Sequence, residues 1–206
     1  MAYRPTERTR ARAAAAREGV VAAALDQLAE GGYASASMVA VARRAGVATG
    51  SVYRHFPSKG DLFSEVFRRA AQREVDVLAA LGHRSMPLGE RLAAWVDAFV
   101  RRALAEPVRA YALIAEPVDA TIEAERITFR RAYADLFARA LREGMDAGEI
   151  PRADAELAAA AIVGALAEAL VGPLRRPEGD TAALVTGLQT FVLSAVGIES
   201  HEPAHA

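Results

Sequence analysis

The sequence predicts an all-α protein in two parts, a small N-terminal three-helix head followed by a larger helical body. Three observations carry this. Ala, Leu, Arg and Glu dominate nearly every segment, and these residues lose little on entering a helix. The interruptions are short clusters of Gly and Pro, at 31–32, 106–107, 116–117, 148–151 and 172–179, which punctuate helices. Runs alternating β-branched with polar residues, the mark of a half-buried strand, are missing.

Taken in order, the first helix is expected from about 6 to 30, with Val20, Ala24, Leu25 and Leu28 on one face and Gly31 and Gly32 as its stop. Ser37 is a suitable N-cap for a short second helix through Arg44. Residues 45–48 turn the chain, Thr49 or its neighbour opens a third helix, and Pro57 ends it. Ser58 caps a fourth that runs to about Leu81. Further helices are expected near 88–105, 107–115, 118–147, 153–172 and 180–197. This divides the chain into a head over 1–57, a body over 58–200 and a disordered tail over 201–206.

Composition narrows the chemistry. With 52% hydrophobic residues in 206, the chain buries a sizeable core. The absence of cysteine excludes disulfides, thiolate metal sites and a cysteine nucleophile. The first nineteen residues are studded with Arg and do not read as a secretion signal. The longest apolar run, 157–167, is eleven uncharged residues, short of the roughly 20 that a membrane span needs. A cytoplasmic setting without membrane contact is the natural reading. The net charge of −1 is unevenly spread: residues 1–60 hold nine Lys/Arg against four Asp/Glu, and the rest holds sixteen against twenty-two. A basic head on an acidic body points to a polyanion as partner of the head alone.

The stretch RRAGVATGSVYRHFPSKGDLF (43–63) decides what that head is. A nucleotide loop needs G-x-x-x-x-G-K-[ST], or G-x-G-x-x-G between strand and helix. Gly46 and Gly50 have only three residues between them, and no Lys follows Gly50. A helix-turn-helix fits instead. Ala42 is small enough for two helices to cross closely, and Gly46 serves the turn. Val41, Ala45, Val47 and Val52 fall on the inner faces, leaving Thr49, Gly50, Ser51, Tyr53 and Arg54 outward, a surface suited to the major groove.

The wider segment GGYASASMVAVARRAGVATGSVYRHFPSKGDLF (31–63) resembles the DNA-binding head of the TetR family of bacterial transcriptional repressors. Gly, an aromatic, a Ser/Thr cap, AGV, a small G-[ST]-[LV]-Y segment and HF-x-[SN]-K follow in order and spacing. The resemblance covers some thirty residues and the overall architecture, but not the sequence of the body. It implies that Ser37 and its neighbouring amides meet a phosphate. Thr49, Gly50 and Ser51 would approach base edges, and Tyr53 and His55 the DNA backbone. Lys59 would bind a phosphate, Arg54 would add specificity, and Phe56 is a core wedge. Some family members carry a base-reading arginine on the second helix where this chain has Val39. Arg4, Arg8, Arg10 and Arg12 form an arm that either reaches a minor groove or stays solvated.

So small a head needs a second copy for strong binding to a palindrome, so a homodimer on double-stranded DNA is expected. The helix near 153–172 is apolar nearly all round, which requires burial on more than one face. With the last helix (Leu184, Leu188, Phe191, Val192, Ala195) it forms either a four-helix interface or the interior of a monomer. In the body, Trp95, Phe99, Tyr111, Phe129, Tyr133 and Phe137 read as core or, as the resemblance implies, as the pocket of a small-molecule effector. Glu168 and Glu116 either mark its polar end or face solvent.

Catalysis finds little support. His201-Glu202-Pro203-Ala204-His205 matches H-E-x-x-H literally, but Pro203 interrupts the helix that zinc ligation requires. No G-x-S-x-G stands in the chain, and His55 and His83 have no evident partners. No cofactor or metal is expected, and the expected function is that of a ligand-responsive repressor rather than an enzyme. An effector-independent DNA-binding protein and a helical enzyme are the competing classes.

Overall fold

The structure is a computed structural model that describes residues 6–82 and 86–198. Among these residues there are nine helices and no strand: α1 (Glu7–Ser35), α2 (Met38–Arg44), α3 (Thr49–His55), α4 (Lys59–Leu81), α5 (Leu88–Ala105), α6 (Pro107–Ile114), α7 (Ala120–Ala147), α8 (Ala155–Arg175) and α9 (Thr181–Ala195). Arg4, His83 and the HEPAH tail lie outside the described residues.

Local chemistry fixes the boundaries. Gly32, at φ 71° and ψ −175°, breaks α1, so the expected stop holds and one further turn follows it. The Ser37 hydroxyl accepts from the Ala40 amide to cap α2, and the Ser58 hydroxyl accepts from Asp61 N to cap α4. Asp154 and Asp180 do the same for α8 and α9. Such caps satisfy amides that have no partner inside their helix. α8 departs from expectation at its far end, continuing through Pro173 to Arg175. A proline in the last turn removes a single backbone donor, and Arg176 N returns a bond to Gly172 O at 3.1 Å.

Two hydrophobic cores result. The head core gathers Val20, Val21 and Leu28 of α1, Val41 and Val52 of the two short helices, and Phe56. It also takes Leu62, Phe63, Val66 and Phe67 from α4 and reaches Leu113 and Ile122 in the body. The expected boundary at residue 57 is therefore not a boundary between cores, because α4 belongs to both. Its far end, Leu78, enters the body core with Leu92, Trp95, Phe137, Leu141, Ile162 and Leu170. On its outer side α4 is bound to α1 by charge. Arg69 Nε donates to Glu65 at 2.8 Å and its other nitrogens clasp Glu18.

α8 buries Ala159, Ile162, Leu166 and Leu170 but leaves the opposite face uncovered. Leu157 is 68% exposed, as is nearly half of Phe191 on α9. Among the described helices α8 alone is long and apolar enough to cross a membrane, with a mean hydropathy of 1.9.

Candidate nucleic-acid interface and effector cavity

The turn between α2 and α3 is built on Gly46, whose φ of 66° is the left-handed conformation that glycine adopts cheaply. Its amide bonds back to Arg43 O, and Val47 N to Ala42 O at 3.0 Å. Val41, Ala42 and Val52 are buried beneath the turn, which holds the two short helices against α1. The outer side of α3 then leaves Gly50, Tyr53 and Arg54 exposed, with Thr49, Ser51 and His55 partly covered. Tyr53 is 49% exposed, with its ring available to a partner on this face. Arg54 Nη2 donates to Ser51 Oγ at 2.9 Å, which orients the guanidinium along the face. Ser37 lies exposed beside this face, as does Val39 at 64%. Arg8, Arg10 and Arg12 stand on the exposed first turns of α1.

The four basic groups of the 43–63 stretch divide into two pairs. Arg43 and Arg54 have no carboxylate partner among the described residues. Arg44 is held by Glu30 through two bonds of 2.7 and 2.5 Å. Lys59 Nζ turns inward. It donates to Tyr33 O at 2.8 Å and lies 4.0 Å from the centroid of the Tyr33 ring. Burial lowers its pKa, against the pull of Asp119 and Glu116. In this state Lys59 ties α4 to the end of α1 rather than standing free for a phosphate.

That end of α1 is also where head and body join. Glu116, 8% exposed, accepts from Tyr33 N at 2.8 Å and Ala34 N at 2.9 Å. The Tyr33 hydroxyl donates to Asp119. Burial first, and then this bond to Asp119, raise the Tyr33 pKa. A Cβ on Gly32 would stand 2.8 Å from Glu116 Oε2, so a side chain there would push the carboxylate from its two amides besides straining the positive φ. Glu116 thus neither faces solvent nor lines the cavity: it clasps the head.

The pocket itself takes four of the seven expected residues. Phe99, Phe129, Tyr133 and Phe137 line a narrow apolar cavity of about 40 Å³ together with Leu113, Val163 and Leu166. A second lobe of about 40 Å³ lies behind Phe99, Phe129 and Tyr133, so these three rings form the shared wall. Phe129 and Tyr133 meet edge-on at 4.7 Å and Phe99 and Tyr133 at 5.8 Å, geometries that aromatic pairs prefer. Trp95, Tyr111 and Glu168 lie outside this lining. Trp95 is buried under the cavity against Phe137, at 5.0 Å between ring centroids, Tyr111 lines neither lobe, and Glu168 faces outward. α8 turns position 166 inward and 168 to the far side, a difference that apolar neighbours in sequence do not reveal.

Arg126 was not among the expected residues, and it joins cavity to clasp. It lines the cavity while donating to Leu113 O at 3.1 Å, Ala112 O at 3.1 Å and Glu116 O at 2.7 Å, carbonyls at the end of α6 that have no helical partner. Burial lowers its pKa, Glu123 opposes that, and Arg130 adds repulsion. Its spacing gives it away in retrospect, since 126, 129, 133 and 137 follow a single helical face.

With this geometry in view, two family models match. Residues 20–66 match the one described as bacterial regulatory proteins, tetR family. Residues 85–170 match that of the tetracyclin repressor-like C-terminal domain, and together they span well over half of the chain. The chain belongs to the tetR family. Its head is thus a DNA-binding helix-turn-helix of that family, as α2 and α3 are arranged.

Solved structures agree in fold with this tetR-family chain. The fatty acid degradation regulator FadR from Bacillus halodurans is similar at 25% identity and a TM-score of 0.75, over 86% of this chain and 94% of that one. The regulator FadR from Bacillus subtilis, solved with stearoyl-CoA, gives 21% and 0.75, over 87% and 98%. RolR, solved with resorcinol, gives 20% and 0.71, over 92% and 91%. A comparison with curated protein sequences found no match.

Proposed function

We propose that this tetR-family protein is a transcriptional repressor that binds a palindromic operator as a homodimer and leaves it when a small, mostly apolar effector enters the body. The observation that carries this is a continuous connection. Arg126 touches the cavity and holds the end of α6, and the same end places Glu116 on the α1 terminus of the head. A ligand that spreads the cavity wall displaces α6, and with it the angle of the head.

Ligand pockets ordinarily measure about 300–1,000 Å³, whereas each lobe holds about 40 Å³. An effector must therefore push Phe99 or Phe129 aside and merge the lobes. This is how binding energy becomes coupled to shape: the ligand prefers the opened state and shifts the population towards it. In the DNA-bound state, Thr49, Gly50 and Ser51 face base edges, Tyr53, Arg54 and His55 lie along the groove, and Ser37 meets a phosphate. Lys59 reaches a phosphate only by leaving Tyr33.

The uncovered apolar face of α8 and α9, with Leu157 and Phe191, supplies the dimer contact. Association sets two α3 helices at about 34–36 Å, one turn of the duplex apart. A mobility-shift titration on the DNA flanking the gene tests the whole reading, with and without a panel of hydrophobic compounds, alongside light scattering. The expected result is a dimer mass and a shift that one compound abolishes. A DNA-bound dimer indifferent to every compound supports an effector-independent DNA-binding protein instead.

A further inference from the structure

The outward faces of α2 and α3 hold few side chains that can tell one base pair from another, and this bears on how the head reads DNA. Between residues 31 and 60 the sequence has no Asn, Gln, Asp or Glu. Asn and Gln read adenine through paired bonds, and carboxylates accept from the cytosine amino group. The α3 side chains placed toward base edges are then Arg54, which suits guanine and is bonded to Ser51 Oγ at 2.9 Å, and the hydroxyls of Thr49 and Ser51, which suit more than one base. Hydrogen bonding alone gives this surface little hold on an A·T pair.

Val39 adds what those groups lack. α2 buries Met38, Val41 and Ala42 and turns Arg44 toward α1, where Glu30 holds it at 2.7 and 2.5 Å and Asp26 stands at 3.7 Å. Val39 lies about 140° round the helix from Arg44. The helices packed against α2 are α1 and α3, so the flank turned from the end of α1 is the one beside α3, and there 64% of Val39 is open. Arg43 follows one turn on, above Val39 on the helix surface, exposed and without a carboxylate partner among the described residues. An exposed valine by itself is ordinary. This one stands beside a recognition helix, next to a guanidinium free to anchor on a phosphate.

We propose that Val39 is a specificity-determining residue of the head, its methyl groups set against the C5-methyl group of a thymine in the major groove. Among the groups that base pairs show there, that methyl is the apolar one, and an aliphatic side chain gains nothing specific from the donors and acceptors around it. This rests on the outward face of α2 and α3 meeting DNA. At that step the head recognises an A·T pair by apolar contact, and its preference goes when the methyl group goes.

The test selects a binding site from random duplexes with the full chain, then replaces each thymine of that site in turn by deoxyuridine, which removes the methyl group and keeps the hydrogen-bonding pattern. Fluorescence anisotropy is expected to show a loss of about fourfold at one thymine in each half-site, the scale of burying one methyl group. In Val39→Ala, with an unchanged unfolding midpoint, thymine and uracil at that position bind nearly alike, while base changes at the position read by Arg54 still weaken binding. A selected site that is indifferent to uracil throughout, or a uracil effect that Val39→Ala leaves intact, overturns the assignment to Val39 and leaves the DNA-binding face standing. Failure to select any sequence overturns that face as well.

Discussion

Glu116 accepts the amide protons of Tyr33 and Ala34 through its two carboxylate oxygens, at 2.8 and 2.9 Å. One side chain of the body thereby closes the end of the first helix of the head. Removing it as Glu116→Ala leaves a buried donor at Tyr33 without a partner, which costs about 1–3 kcal/mol. Denaturant unfolding is expected to show that loss. The variant is also expected to respond less to an effector while still binding DNA. An unchanged midpoint and an unchanged response would contradict the clasp.

Two glycines separate conformation from contact. Gly46 has a positive φ with nothing near its missing Cβ, whereas Gly32 has a positive φ and Glu116 within 2.8 Å. Gly46→Ala is expected to cost about 1–2 kcal/mol for the left-handed backbone alone. Gly32→Ala carries about 1–3 kcal/mol for its glycine-only conformation and also displaces the carboxylate. Thermal unfolding should therefore rank Gly32→Ala below Gly46→Ala, and the reverse order would refute the steric clash with Glu116.

Lys59 distinguishes a role in the fold from a role on DNA. Its ammonium holds Tyr33 O and lies over the Tyr33 ring, an arrangement worth about 1–2 kcal/mol. Lys59→Met is expected to lower the unfolding midpoint even without DNA. If stability is unaffected and only DNA affinity falls, Lys59 acts on phosphate alone.

The Tyr33 phenol gives a signature in pH. Burial and the bond to Asp119 raise its pKa in the folded state, so the folded chain retains a proton that the unfolded chain loses near pH 10. Its contribution to stability is fully present below that pH and is lost as pH rises through the raised value. Unfolding measured against Tyr33→Phe should show the wild type losing its advantage only above about pH 10. A constant difference across that range would count against the bond.

Where local chemistry decides, the sequence is readable. Ser37, Ser58, Gly46 and Gly32 act within a few residues of themselves, and each stands where its cap or turn is expected. The aromatic face of α7 is legible too, because Phe129, Tyr133 and Phe137 repeat at four. For Trp95 and Glu168 the sequence leaves two readings, since their direction depends on how α5 and α8 roll against their neighbours, which periodicity fixes only within a turn. Lys59 and Glu116 are read from type and position alone. Their partners lie 26 and 83 residues away, and a pairing over such distances leaves no mark in the local pattern.

The central claim is that the face of α3 meets DNA. Fluorescence anisotropy on labelled DNA from the region flanking the gene tests it, comparing wild type with Tyr53→Ala and Arg54→Ala. Both side chains are exposed, so the unfolding midpoint should not move, while affinity falls in both: by about 1–3 kcal/mol for Arg54 where it adds specificity, and evenly across DNA sequences for Tyr53 against the backbone. Wild-type affinity in both variants would contradict the account.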